Sequence, residues 1–444
     1  MAIVIPTQSS AKSARFLDGR IVAINADLMV QLDKFKPNIF DSIIIDPPYE
    51  LTSSNRKNPP PVGVGPYGRT RMGVNGDNKP VGGFMGKEWD GTGISQDVAA
   101  WRTIMRVLKP GGFLVAFGGT RTTHRMVCAI EDAGFIIKDQ LAWVYGQGFP
   151  KSQNVSKEID IQSGNYKPGT EVAGKSGSER NCTAGDFTGG EYMKYAPVTQ
   201  EAEQWQGWGT ALKPAFEPIC LAQKPISETT IAANMLKWGT GALNIDACRV
   251  GDFDPDAFRE MLIDDHIRGR FGEPSSDRRY TEKGSTNFAA KPGPRGGSVK
   301  GRWPANFIHD GSPEVLAKFP DSAPPCGTPK KAQGNGGIFG GGAPGQIYSD
   351  SGSASRFFYS AKASKHDRYD SKHPTVKPIN LLIWLAKLVT RPDGVILDCF
   401  AGSGTLGAAA ALAGFRATLI EREKTYFNDI RHRMLEFSRM DLDL

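Results

Sequence analysis

Cysteine and histidine are scarce, six of each in 444 residues. The cysteines stand far apart with no Cys-x-x-Cys pair, and the histidines do not cluster. That argues against a disulfide framework and a zinc site, and for a reducing compartment. No apolar stretch is long enough for a membrane span, and mean hydropathy is −0.35. Residues 1–10 lack a charged segment followed by a sustained apolar one, so no secretory leader is expected. Charge is not extreme either. A net +7 and an isoelectric point near 8.9 permit a polyanionic partner without requiring one. Glycine (52) and proline (30) are plentiful and imply much loop. The length favours two or three domains with a sizeable core.

Residues 41–49 read Asp-Ser-Ile-Ile-Ile-Asp-Pro-Pro-Tyr. Ile43, Ile44 and Ile45 form the short β-branched run expected of a strand buried on both faces. Pro47 has no ladder N–H and ends it. Asp46 is thereby left at the carboxyl tip of the strand, where open α/β sheets bind ligands. Tyr49 follows on a stiff Pro-Pro arm. A carboxylate, rigid backbone carbonyls and an aromatic face can hold a flat base with an exocyclic amino group.

Residues 394–407 form a second constellation, Gly-Val-Ile-Leu-Asp-Cys-Phe-Ala-Gly-Ser-Gly-Thr-Leu-Gly. The pattern predicts a strand over 395–397, a glycine turn and an Ala-rich helix over 406–412 stopped by Gly414. Gly402 and Gly404 let the backbone approach a ligand, and a helix start favours carboxylate or phosphate. A further strand, 416–420, ends at Glu421, where an acid accepts hydrogen bonds from ribose hydroxyls in dinucleotide folds.

Asp46-Pro47-Pro48-Tyr49 resembles the catalytic tetrapeptide of the amino-group DNA methyltransferases, which act on N6 of adenine or N4 of cytosine. Asp398-x-Phe400-x-Gly402-Ser403-Gly404 resembles their S-adenosylmethionine loop, with Cys399 where the family usually has proline. Glu421 matches the ribose-binding acid. His373-Pro374-Thr375-Val376-Lys377-Pro378 resembles a motif that helps shape the pocket for the methionine end, which implies cofactor roles for Thr375 and Lys377. Asn25-Ala26-Asp27-Leu28 resembles the segment whose acid sits near the cofactor adenine; Asp27 is equally readable as a helix N-cap. The resemblance covers roughly residues 18–145, 211–226 and 366–432. The tetrapeptide precedes the cofactor loop, the circularly permuted order of the β subgroup.

The resemblance implies an α/β fold, a Rossmann-like, mostly parallel seven-stranded sheet with a terminal antiparallel hairpin (134–145 with 216–222) and a large insertion domain. The expected organisation is 1–149, catalytic half; 150–210, polar insertion; 211–226, core strand; 227–365, target-recognition insertion; 366–444, S-adenosylmethionine-binding half. The implied activity is methyl transfer to adenine N6 in a flipped nucleotide of double-stranded DNA. The alternatives are cytosine N4, or a silent DNA-binding relative. Asp46 and the Pro47 carbonyl would accept the two amino hydrogens, Pro48 would shape the turn, and Tyr49 would stack on the base. A bacterial or phage enzyme acting in the cytoplasm at the nucleoid follows, and the class admits a homodimer and a restriction endonuclease partner.

Two insertions carry charge. Residues 51–87 hold six cations against one anion, which suits phosphate tracking or a solvated loop. Residues 266–302 hold nine against three, interleaved with aromatics, as a target-recognition region would. Within 227–365, Leu236, Trp238, Leu243, Ile245 and Val250 are expected to form a small core. Three competing motifs lack their structural context. The P-loop pattern at 169–176 has no strand before it and no helix after it. Pro325-Cys326 lies in a Gly/Pro loop. Gly63-x-Gly65-x-x-Gly68 has no preceding strand.

Overall fold

The computed structural model describes residues 12–50, 90, 92–146, 148, 152–168, 172–175, 191–251, 301–322, 352–361, 365–368, 371 and 376–440. Thr375, the basic stretch 51–87, most of 266–302, the 63–68 glycine pattern and Cys326 lie outside these residues. Contacts divide the chain into two units, 1–244 with 361–444, and 245–360.

The first unit is built on a twisted sheet. Its strands are β1 (Lys12–Phe16), β2 (Ile21–Asn25), β3 (Phe40–Ile45), β4 (Leu108–Phe117), β5 (Ile136–Val144) and β8 (Phe216–Gln223), joined by β13 (Val395–Asp398) and β14 (Arg416–Glu421). A separate hairpin pairs β6 (Val172–Lys175) with β7 (Glu191–Met193). It places residues of the P-loop-like pattern in a strand rather than in a phosphate-cradling turn.

The order across the eight strands is β1-β2-β14-β13-β3-β4-β8-β5. The five from β2 to β4 run parallel. β8 runs antiparallel to both β4 and β5. The expected hairpin partners therefore do pair, with β8 inserted between β4 and β5. β1 adds an antiparallel edge to β2 that the sequence reading lacked.

The central strands are apolar on both faces because helices cover both. β3 is buried along its whole length. On one side, α1 (Leu28–Asp33), α2 (Val98–Val107) and α3 (Thr123–Asp132) cover it. α2 buries Ala100, Trp101, Ile104 and Val107, one stripe of a 3.6-residue period. Ile24, Ile43, Ile45, Leu114 and Leu397 from the sheet join Trp101 and Ile104 in one core.

Further helices are α4 (Val155–Gln162), α5 (Gln200–Gln204) and α6 (Ile231–Trp238). α6 differs from expectation. Leu236 is 92% exposed rather than core. The helix is held by Asn234, whose Nδ2 donates to Pro110 O (2.9 Å) and Thr240 O (2.7 Å). A Cβ on Gly111 would sit 2.4 Å from that Nδ2, so glycine is required there. Polar docking keeps α6 in the first unit, up to Asn244.

In the second unit, β9 (Phe307–His309) is followed by α7 (Pro313–Leu316), β10 (Asp321–Ser322), β11 (Gly352–Ser353) and β12 (Tyr359–Ser360). β9 pairs parallel with β12, and β10 antiparallel with β11. Phe307 packs edge to face on Phe319 and Phe358, whose rings are tilted against each other.

The chain returns to the first unit through α8 (Ile379–Val389), α9 (Thr405–Ala413) and α10 (Lys424–Met440). α8 is apolar almost all round and buries eight of its eleven residues. Between β13 and β3 the winding reverses direction, which opens a crevice at the carboxyl ends of the strands. Asp41 ties this junction: its carboxylate takes Lys109 Nζ (2.6 Å), Arg391 Nε (3.1 Å) and the Val395 N–H (2.8 Å).

Candidate active site

The crevice holds a cavity of about 1320 Å³. It is lined by Asp46, Pro47, Pro48 and Tyr49 at one end, and by Asp398, Phe400, Gly402, Ser403 and Glu421 at the other. Asp27 also lines its wall. Its carboxylate caps α1 by accepting from Met29 N and Val30 N.

Asp46 follows β3 and Asp398 ends β13, on adjacent parallel strands. Asp46 Oδ2 accepts from Lys377 Nζ at 2.6 Å. Asp46 Oδ1 is sealed from solvent and has no hydrogen-bond partner among the described residues. A buried acceptor left without a donor costs about 1–3 kcal/mol.

Lys377, six per cent exposed, lies just before α8. Its ammonium also reaches Tyr49 Oη (3.1 Å) and Glu217 Oε2 (3.2 Å). An ammonium has three N–H donors, and these three acceptors match them. Lys377, expected among the cofactor-binding residues, lines the same cavity, and its ammonium is held among Asp46, Tyr49 and Glu217. Two neighbouring anions hold its pKa above the ordinary lysine value, against the opposing effect of burial. Glu217 sits on β8. Burial pushes its pKa up, and Lys377 opposes the shift. Tyr49 Oη donates to Glu217 Oε2 at 3.2 Å. The Tyr49 carbonyl accepts from Thr122 Oγ1, and a Cβ on Gly119 would lie 3.1 Å from the Tyr49 ring. The phenol is thus clamped along one edge.

Beside it, the Glu50 N–H donates to Asp90 Oδ1 (2.7 Å), and Glu50 Oε2 accepts from Gly93 N (2.8 Å). The two flanks of residues 51–89 are thereby joined next to the tetrapeptide.

At the other end, Gly402 and Gly404 both have positive φ (51° and 78°), the left-handed backbone that favours glycine. A Cβ on Gly404 would lie 3.0 Å from Ile430 Cγ1. Glu421 accepts from Gly402 N (2.8 Å) and Glu423 N (2.7 Å), one bond to each oxygen. Each oxygen keeps a lone pair for a ligand hydroxyl. Burial raises the Glu421 pKa to about 7. It raises Asp398 to about 8, with Asp46 and Glu421 adding to the shift. Ser403 Oγ faces the protein, accepting from buried Arg433 at 3.3 Å. Arg433 also holds the carbonyls of Asp367 and Arg368.

Glu217, Arg433 and Asn234 are the structural surprises. Each sits in a segment with no motif of its own. Among the described residues no cluster of His, Cys, Asp and Glu is suited to a metal, and no helix is long and apolar enough to cross a membrane.

Two curated relatives share part of this sequence. The chain is 26% identical over 231 residues to the type II methyltransferase M.HindIII of Haemophilus influenzae, covering 50% of this chain and 63% of that protein. It is 40% identical over 70 residues to the type II methyltransferase M2.DpnII of Streptococcus pneumoniae, covering 16% and 26%. The chain thus spans less than two thirds of the length of either relative. Among solved structures, the PvuII cytosine-N4-specific DNA methyltransferase aligns over 95% of this chain and 93% of its own, at 11% identity and a TM-score of 0.40. The M1.HpyAVI complex with S-adenosylmethionine aligns over 94% and 98%, at 14% identity and a TM-score of 0.36. The sequence model of the N6/N4 methyltransferases, described as DNA methylase, matches residues 40–432. The chain belongs to that N6/N4 DNA methylase family.

Proposed function

We propose that the protein transfers a methyl group from S-adenosylmethionine to N6 of an adenine turned out of double-stranded DNA. The observation that carries this reading is the single cavity lined by both the Asp46 tip and the Asp398–Glu421 loop. A donor held at one end and a base held at the other meet within one cavity, which is the positioning that in-line transfer needs.

The wall suits a cationic ligand. Asp46, Glu217, Asp398 and Glu421 all line it, Lys377 pairs with the first two, and the raised pKa values of Asp398 and Glu421 reflect burial of negative charge. S-adenosylmethionine supplies an electrophilic methyl group on a sulfonium centre. Glu421 accepts from its ribose hydroxyls, and Asp27 lies at the adenine side. Gly402 and Gly404 allow close approach of the backbone, with Phe400, Ser403 and Asp398 completing that wall. Thr375 belongs to the same set by its motif.

Asp46 accepts one hydrogen of the target amino group, and the Pro47 carbonyl accepts the other. These bonds draw the nitrogen toward a pyramidal geometry and aim its lone pair at the methyl group. Tyr49 offers its ring to the base, and Pro48 sets the turn. Exposed Arg121, Lys213 and Arg422 at the rim suit backbone phosphates. Residues 245–360, with Trp303 exposed beside Arg249 (5.4 Å), are the proposed target-recognition part.

Adenine rather than cytosine follows from the aspartate at the head of the tetrapeptide, the pattern of adenine-directed members. Modified-base sequencing of DNA from cells expressing the chain tests this. N6-methyladenine at one short site is expected; N4-methylcytosine overturns the base assignment, and no modification overturns the activity.

A further inference from the structure

We propose that Glu217 is a positioning residue for methyl transfer, holding Lys377 and Tyr49 so that Asp46 presents its carboxylate to the substrate amine. The inference rests on the proposed function.

The geometry is a closed set of bonds. Glu217 Oε2 takes both Tyr49 Oη (3.2 Å) and Lys377 Nζ (3.2 Å). Lys377 in turn bonds Tyr49 Oη (3.1 Å) and Asp46 Oδ2 (2.6 Å). One oxygen of Glu217 therefore fixes both the phenol and the ammonium. Tyr145 and the Phe117 ring (4.9 Å from Lys377 Nζ) complete the surroundings of the ammonium.

The set also sets charge. Lys377 facing Asp46 alone would form a closed ion pair, and the carboxylate would be a weaker acceptor for a neutral amine. Sharing the ammonium with Glu217 leaves Asp46 more of its accepting power. Glu217 comes from β8, the antiparallel strand, while Asp46 follows β3 and Lys377 precedes α8. Three separate elements must be registered for the set to close, and β8 brings the group that no motif at either end of the cavity supplies.

The test compares Glu217→Ala and Glu217→Gln with wild-type protein on unmethylated DNA carrying the target site. Glu217→Gln keeps an oxygen to accept both bonds and removes the charge. For Glu217→Ala, kcat should fall by about 10²-fold, with KM for DNA and Kd for S-adenosylmethionine within about threefold of wild type. For Glu217→Gln, Lys377 loses one of its two anions. Its activity should decline as pH rises through about 10, the ordinary lysine range, where wild-type activity stays level. A merely structural role would lower stability without moving that alkaline limb. If Glu217→Ala fails to bind cofactor through misfolding, the isosteric Glu217→Gln alone decides. Wild-type kcat and an unmoved alkaline limb in Glu217→Gln overturn the inference while methyl transfer stands. Absence of transfer by wild-type protein overturns the functional reading, and this inference with it.

Discussion

The ammonium of Lys377 lies 2.6 Å from Asp46 Oδ2 across 331 positions of sequence. The bond joins the segment that leads into α8 to the tip of β3, so the two ends of the chain build one half of the cavity together.

Replacing Lys377 by alanine leaves Asp46 and Glu217 facing each other without their shared cation. Breaking a buried pair from one side costs about 3–5 kcal/mol. Loss of one electrostatic contact in a water-poor site costs about 10²–10³ in turnover. Both effects are expected for Lys377→Ala, read by denaturant unfolding and by kcat.

Cofactor affinity should depend on pH with a defined sign. Asp398 and Glu421 have folded pKa values raised from 3.8 to about 8 and from 4.5 to about 7. Protons are therefore held more tightly in the folded apoprotein than in the unfolded chain. These groups' share of stability is present at low pH and is lost as pH rises through about 7 and 8. A cationic ligand favours the ionised carboxylates. Affinity for S-adenosylmethionine should rise at least about tenfold between pH 6 and pH 8.5, with proton release on binding. Calorimetry in buffers of different ionisation enthalpy measures both.

Gly404→Val should weaken cofactor binding before anything else. Its φ of 78° is strained for any side chain, at about 1–2 kcal/mol. The added carbon would also press on Ile430 Cγ1 at 3.0 Å. A titration showing loss of affinity with the fold intact by circular dichroism is the expected result.

Asp41→Ala should destabilise the fold without touching the cavity. Its carboxylate anchors Lys109, Arg391 and the first N–H of β13 from a fully buried position. About 3 kcal/mol is expected, the low end for a broken buried pair, because both cations keep some solvent. Equilibrium unfolding gives the value.

Much of this architecture is legible in the sequence because three of the strands around the cavity run into an acidic residue. Asp46 follows Ile45, Asp398 follows Leu397 and Glu421 follows Ile420, so a buried run and a polar tip mark the place together. The glycines of 402–404 are legible for the same reason, since their backbone geometry excludes other residues. Glu217 is not, because its role depends on β8 lying between β4 and β5. Non-local pairing of that kind leaves no local period. Leu236 misled because an apolar residue in a helix reads as core, whereas α6 docks through Asn234 and bonds to carbonyls. Lys377 is legible as a motif residue, but its contacts with Glu217 and Asp46 are not, because they join distant segments.

The central claim is that Asp46 receives the substrate amine while other residues hold the methyl donor. The direct measurement pairs S-adenosylmethionine binding with methyl transfer in Asp46→Ala. Cofactor affinity within a few fold of wild type, with transfer reduced by at least about 10³, is the predicted result. Transfer near the wild-type rate would contradict the account.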